Sequence, residues 1–126
     1  MDIVSALFVE NFSLRPGAAP TRIDMTGVYF SINAPSPAPV TIEPHLVVLI
    51  RCRADEGGSG VLEAVFHRGE EEIARNVNPF TVEPGKFTYR LVRAELEFPD
   101  YGLVEASVRV DRGPWMVVPL TLLPPA

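Results

Sequence analysis

Hydrophobic and polar residues alternate with a period of two along most of this chain, and no stretch repeats at the helical period. That pattern predicts strands. A first strand is expected from about Asp2 to Glu10, then a Pro/Gly loop, "RPGAAPT", then a second strand from Arg22 to Ile32. Within the second strand the apolar set changes parity, from Ile23 and Met25 to Val28, Phe30 and Ile32. A pleat cannot hold both sets on one face, so a register shift is expected, and Gly27 at the junction suits a β-bulge. Tyr29 then faces the opposite side.

"APSPAPV" reads as an extended crossing with little pairing of its own. His45 to Arg53, "HLVVLIRCR", is a strand with Leu46, Val48, Ile50 and Cys52 on one face, while Val47 and Leu49 make part of the other face apolar too. After the turn "ADEGGSG", Gly60 to Arg68 sets Leu62, Ala64 and Phe66 on one side, with Glu63 and His67 on the other. A short strand near Ile73 to Val77 and a Pro-bounded piece near Phe80 to Val82 come next. "EPGK" is a turn signal, and a long strand is expected from Lys86 to Phe98. Its apolar set passes from Phe87, Tyr89 and Leu91 to Val92, Ala94, Leu96 and Phe98, which predicts a bulge or a move between sheets near Leu91 and Val92. A helix across "YRLVRAELEF" competes on propensity.

The last hairpin is the most regular. After "PDYG", Val104, Ala106, Val108 and Val110 alternate with Glu105, Ser107 and Arg109; "DRGP" reverses the chain and "WMVVPLTLL" returns. Pro119 has no N–H, so its strand is expected at an edge or paired on one side only at that point. Roughly seven to nine strands at this spacing indicate an all-β fold, an antiparallel immunoglobulin-like or C2-like β-sandwich, in a single domain over residues 1–126. With one cysteine and Trp115 on the last strand, an antibody-type domain is excluded.

Composition narrows the class. Hydrophobic residues are 47% and charged residues 21%, which excludes disorder. The formal net charge is −5 and the eleven Lys and Arg residues are scattered singly. No basic stripe exists to hold a phosphate backbone, so neither nucleic acid nor an anionic membrane is an expected partner. The lone Cys52 fits a reducing compartment, and no apolar run approaches the ~20 residues that span a bilayer. The opening "MDIVSALFVENF" lacks a basic start and reads as a strand and not as an export signal. The expectation is a cytoplasmic protein.

Candidate chemistry is sparse. His45 and His67 are the only imidazoles, expected on neighbouring strands with Cys52 nearby, and they fall short of a zinc ligand set. Asp55, Glu56 and Asp111, with Glu83, are expected to share one end of the sandwich as a calcium alternative; a carbohydrate alternative would use end loops around Asp55, Asp100 and Asp111. None of the serines sits in a nucleophile elbow, Cys52 is expected buried and inert, and Glu95 and Glu97 share an exposed strand face. No enzyme activity and no cofactor are expected. Mean hydropathy is +0.16, and "LVVLI" and "WMVVPL" are apolar on both faces, more than two stacked layers hide. That surplus points to protein–protein contact or a homodimer, through an open sheet face or the "WMVVPL" edge, with Trp115, Met116, Val118, Tyr101 and Tyr29 as interface residues.

The stretches "ALFVENFSL", "RIDMTGVYFSINAP", "FPDYGLVEASVRVD" and "VVPLTL" resemble a family of small bacterial proteins catalogued as a domain of unknown function. The resemblance implies a β-sandwich and brings no catalytic residues. Tyr29 and Phe30 stand where that family's pattern would carry a more polar pair.

Overall fold

The computed structural model describes residues 1–17 and 22–126, and among them it has eleven strands and no helix. In chain order these are β1 (Asp2–Leu14), β2 (Ile23–Tyr29), β3 (Ser31–Asn33), β4 (Val40–Ile42), β5 (His45–Arg51), β6 (Ser59–Arg68), β7 (Glu71–Thr81), β8 (Phe87–Arg93), β9 (Leu96–Phe98), β10 (Gly102–Val110) and β11 (Met116–Leu123). Nine lie in two main sheets, ordered β2-β1-β5-β8 and β3-β11-β10-β6-β7, and β4 pairs with β9 separately. The last four residues of "RPGAAPT", 18–21, lie outside the described residues, and the expectation of a loop there goes with them.

The two main sheets enclose one core. Phe8, Leu46, Val48, Ile50 and Val92 enter it from the four-stranded sheet; Leu62, Phe66, Val104, Val108, Leu120 and Leu122 enter from the five-stranded sheet. Each such side chain stabilises the fold by roughly 1.5–3 kcal/mol on burial. β4 and β9 close one side with Leu96 and Phe98, both buried. The inward faces of β5, β6 and β10 follow the alternation expected of them, and Cys52 is buried as expected.

Four expectations are corrected. The second strand is two: β2 belongs to the four-stranded sheet, and β3 pairs in parallel with β11 in the other. No bulge sits at Gly27, because β1 and β2 keep one register from Val9↔Val28 to Asn11↔Thr26. The apolar parity change marks no shift of register, because the partly buried Ile23, Met25 and Tyr29 keep one parity along β2. Tyr29 packs on the core, stacked on Phe8 with centroids 6.2 Å apart, while Val28 and Phe30 face water. Second, Ile73–Val77 and Phe80–Val82 are not separate pieces: β7 runs unbroken through Pro79, which is tolerated because β7 is an edge strand.

Third, the expected long strand breaks at Ala94 and Glu95, not at Leu91 and Val92, and no helix forms there. Strand β8 carries apolar side chains on each face: Val92 enters the core, while Tyr89 and Leu91 lie on the far side of the sheet. Fourth, β1 runs to Leu14, beyond the last β5 partner, His45. Alternation sets Phe12 with Phe8, yet its ring lies 5.1 Å from that of Tyr89 on the opposite face. The distal β1–β2 hairpin therefore twists at Glu10 and Gly27 (φ 68°) and lies over the outer face of the four-stranded sheet. Beneath it Val9 and Val47 are both 1% exposed, although they point away from the main core.

Candidate functional site

Among the described residues, nothing covers the outer face of the five-stranded sheet in this way. Because Met116, Val118, Leu120 and Leu122 pair opposite the inward residues of β10, the intervening Val117, Pro119, Thr121 and Leu123 must point out. Trp115 continues the same row: the Arg109 guanidinium lies 4.2 Å from its ring centroid, a cation–π contact. Val117 is 50% exposed, Trp115 44% and Leu123 39%; Leu103, on the neighbouring strand beside Thr121, is 47% exposed. Eight residue steps at about 3.4 Å make this apolar stripe roughly 27 Å long.

Beside the stripe runs a ladder of charges. Glu63 on β6 accepts from Arg109 Nε at 2.8 Å and pairs with Arg75 on β7, whose other amino group reaches Glu72 at 2.7 Å. The Arg109 hydrogen bond, against an opposing desolvation and with help from Arg75, holds the Glu63 carboxyl below its ordinary value; Arg75 does the same for Glu72. Glu105, half-buried opposite His67 and Pro119, makes no ion pair or hydrogen bond among the described residues. His67 Nε2 lies 2.8 Å from Ser107 Oγ, and its Nδ1 lies 3.1 Å from the Gly69 carbonyl. A proton on Nδ1 donated to that carbonyl lets Nε2 accept from the serine. A base can polarise a hydroxyl in this way, but here the pair lies on an open sheet face, oriented by a neutral carbonyl.

Strand edges are blunted. Thr121 N–H donates to Phe30 O, so the odd residues of β11 turn their backbone toward the free side, and Pro119 presents no donor there. Val82 N–H donates to Gly58 O, which puts Pro79 in the same position on β7. Lys86 O accepts from Cys52 N–H, so Tyr89 O points to the free edge of β8, where Arg90 covers it at 2.7 Å. These are the devices by which sheets resist strand addition. On the open part of β11, Pro119 removes one of the donors that an added strand would use.

Of the expected interface residues, Trp115 alone is prominently exposed. Val118 is 4% exposed and belongs to the core. Met116, Tyr101 and Tyr29 are half-buried against it; the Tyr101 hydroxyl accepts from Ala38 N–H at 3.1 Å, and burial with the Glu10 charge raises the Tyr29 phenol. The reading missed Val117, Leu103 and Leu123. The alternation of β10, carried across the turn, marks them as outward.

Asp55, Glu56, Asp111 and Glu83 do share an end, but they are engaged or apart. Glu56 pairs with the Met1 ammonium, Asp111 Oδ1 accepts from Val61 N–H at 3.0 Å, and Glu83 pairs with Lys86. No group of three or more His, Cys, Asp or Glu side chains poised for a metal occurs among the described residues. Asp100 lies at the other end of β10 from Asp111, roughly 30 Å away, so a carbohydrate site cannot use both. His45 and His67 stand in different sheets, and Glu95 lies in the break before β9, apart from Glu97. A shallow cleft of about 590 Å³ is lined by Ser59, Phe80, Thr81, Arg90 and Asp111, with Arg90 stacked 5.1 Å from the Phe80 centroid.

No family model matches this chain, and no characterised protein matches it either. No helix of the described residues is long and apolar enough to cross a membrane.

Proposed function

We propose that this chain is a non-catalytic protein–protein interaction or structural module that docks through the outer face of its five-stranded sheet, its strands arranged as an immunoglobulin-like or C2-like sandwich. The resemblance to the small bacterial family and a cytoplasmic site belong to the same reading; the single buried cysteine supports the latter. The observation that carries the docking role is the row Trp115, Val117, Pro119 and Leu123 with Leu103 beside it, apolar and exposed along one strand pair. Exposed apolar surface of this extent marks contact sites, and Trp and Arg are among the residue types enriched where binding energy concentrates. Blunted edges direct the contact to the face.

Val117→Asp tests this directly. The variant should fold as the wild type does and lose at least tenfold in affinity for whatever the wild type binds, itself included. Equal retention of every bound protein by both forms, with equal self-association, would overturn the docking role.

A further inference from the structure

We infer that the occupant of this face is a second copy of the same chain, seated about a two-fold axis that lies in the interface plane and crosses the strands at Val117 and Ser107. The inference rests on the docking role proposed above and names its partner.

The register fixes three successive rows across β11, β10 and β6. They are Pro119, Glu105 and His67; then Val117, Ser107 and Val65; then Trp115, Arg109 and Glu63. A half-turn about an axis along the middle row keeps each strand over its own counterpart and exchanges the outer rows. Val117 then meets the partner's Val117, Trp115 meets the partner's Pro119, and Glu105 meets the partner's Arg109. Such an isologous contact requires a self-complementary surface, and this one is self-complementary in charge.

The charges are unfinished within one chain. Glu105 has no partner, and Arg109 commits only Nε to Glu63, leaving its two terminal amino groups free of bonds among the described residues. Glu105 and Arg109 are four residues apart on one strand, roughly 13 Å, so they cannot pair with each other. Across the two-fold they can, twice. The face also carries nearly balanced charge, with Arg75 and Arg109 against Glu63, Glu72 and Glu105, in a chain of net charge −5. It is therefore a place where two acidic molecules can approach. Its extent, roughly 27 Å by about 15 Å across three strands, is near half of the ~800 Å² per partner of a standard interface. A contact of this size belongs to the weak, transient class of interfaces.

Sedimentation equilibrium from 5 to 500 µM reads the result. The wild type should dimerise; Glu105→Arg and Arg109→Glu should each weaken the dimer at least tenfold, and the double variant should return it to within about threefold. Because Arg109→Glu also strips Glu63 and Trp115 of their partner, a second measurement is independent of it. Val117→Cys should form a disulfide-linked dimer under mild oxidation, whereas Leu103→Cys, two rows from the axis, should not. A wild type that stays monomeric at 500 µM overturns the second copy as occupant; the docking role then stands or falls on the Val117→Asp comparison. A dimer in which charge exchange fails to rescue and Val117→Cys fails to cross-link overturns the two-fold arrangement.

Discussion

The two outer faces of this molecule begin from the same excess and end differently. On the four-stranded sheet, Leu7, Val9, Val47, Leu49 and Leu91 point away from the core, and the chain covers them itself: the twisted end of the β1–β2 hairpin lays Phe12 against Tyr89, and Val9 and Val47 are wholly enclosed. On the five-stranded sheet, Val117, Leu103, Trp115 and Leu123 also point away from the core, and no segment crosses them among the described residues. An apolar residue on an outer face is thus not by itself a docking residue. What decides is whether the chain has spare length to fold back over it, and only the first hairpin does.

The same substitution on each face separates the two most sharply. Val47→Asp places a carboxylate under the arm with no partner, a cost of several kcal/mol against a total stability of about 5–15. It should fail to fold, or melt far below the wild type. Val117→Asp should cost under about 1 kcal/mol, the span of strand propensity at an exposed position. Urea denaturation of both checks this, and similar losses at the two sites would erase the distinction.

A smaller effect is expected at the hinge of the arm. Gly27 has φ 68°, and a Cβ there would also sit 2.7 Å from the Glu10 side chain. Glu10 can swing aside, so backbone strain dominates, about 1–2 kcal/mol and more for a β-branched residue. Gly27→Val should therefore raise amide exchange roughly tenfold in Asn11–Leu14 and Ile23–Thr26 and leave β10 and β11 protected. Uniform acceleration in both hairpins would show that the arm is not a separable layer.

The comparison also shows what alternation can and cannot reveal. The inward sets of β5, β6 and β10 are legible because each keeps one parity along its strand. Strands β2 and β8 are less legible, because apolar residues on their outer faces are as prominent as those on the inner. In β8, Phe87, Tyr89 and Leu91 suggested a shift of register, when they are the second face of a straight strand. At the end of β2, Val28 and Phe30 form the more conspicuous apolar set, but it is Tyr29 that packs on the core. The site was half legible for a related reason: an excess of apolar strand surface is visible in composition, but its location depends on which face some distant segment covers. Met116 and Val118 were named where Val117 stands, a displacement of one residue that in a pleated strand means the opposite side.

The smallest expected effect concerns the ion pairs that border each face. Arg109 and Arg75 hold the Glu63 carboxyl below its ordinary 4.5, and Arg51 and Arg53 hold that of Asp2 below 3.8 at the rim of the other sheet. A carboxyl lowered in the folded state stabilises the fold above its unfolded value; that contribution disappears as the pH falls through the folded value. The gap in melting temperature between wild type and Glu63→Gln should therefore be full at pH 6 to 7 and shrink as the pH falls below about 4.5 through the lowered folded value; Asp2→Asn should show the same sign with the window displaced downward. The Glu63 side chain is 18% exposed and that of Asp2 43%. Solvent and salt screen the second pair more, so the Glu63 gap should be the larger and should survive 0.5 M salt better. Gaps of equal size and equal salt sensitivity would mean that the ladder on the open face is no better sheltered than an ordinary rim contact, and that its arginines are held less firmly than the proposed pairing across two copies requires.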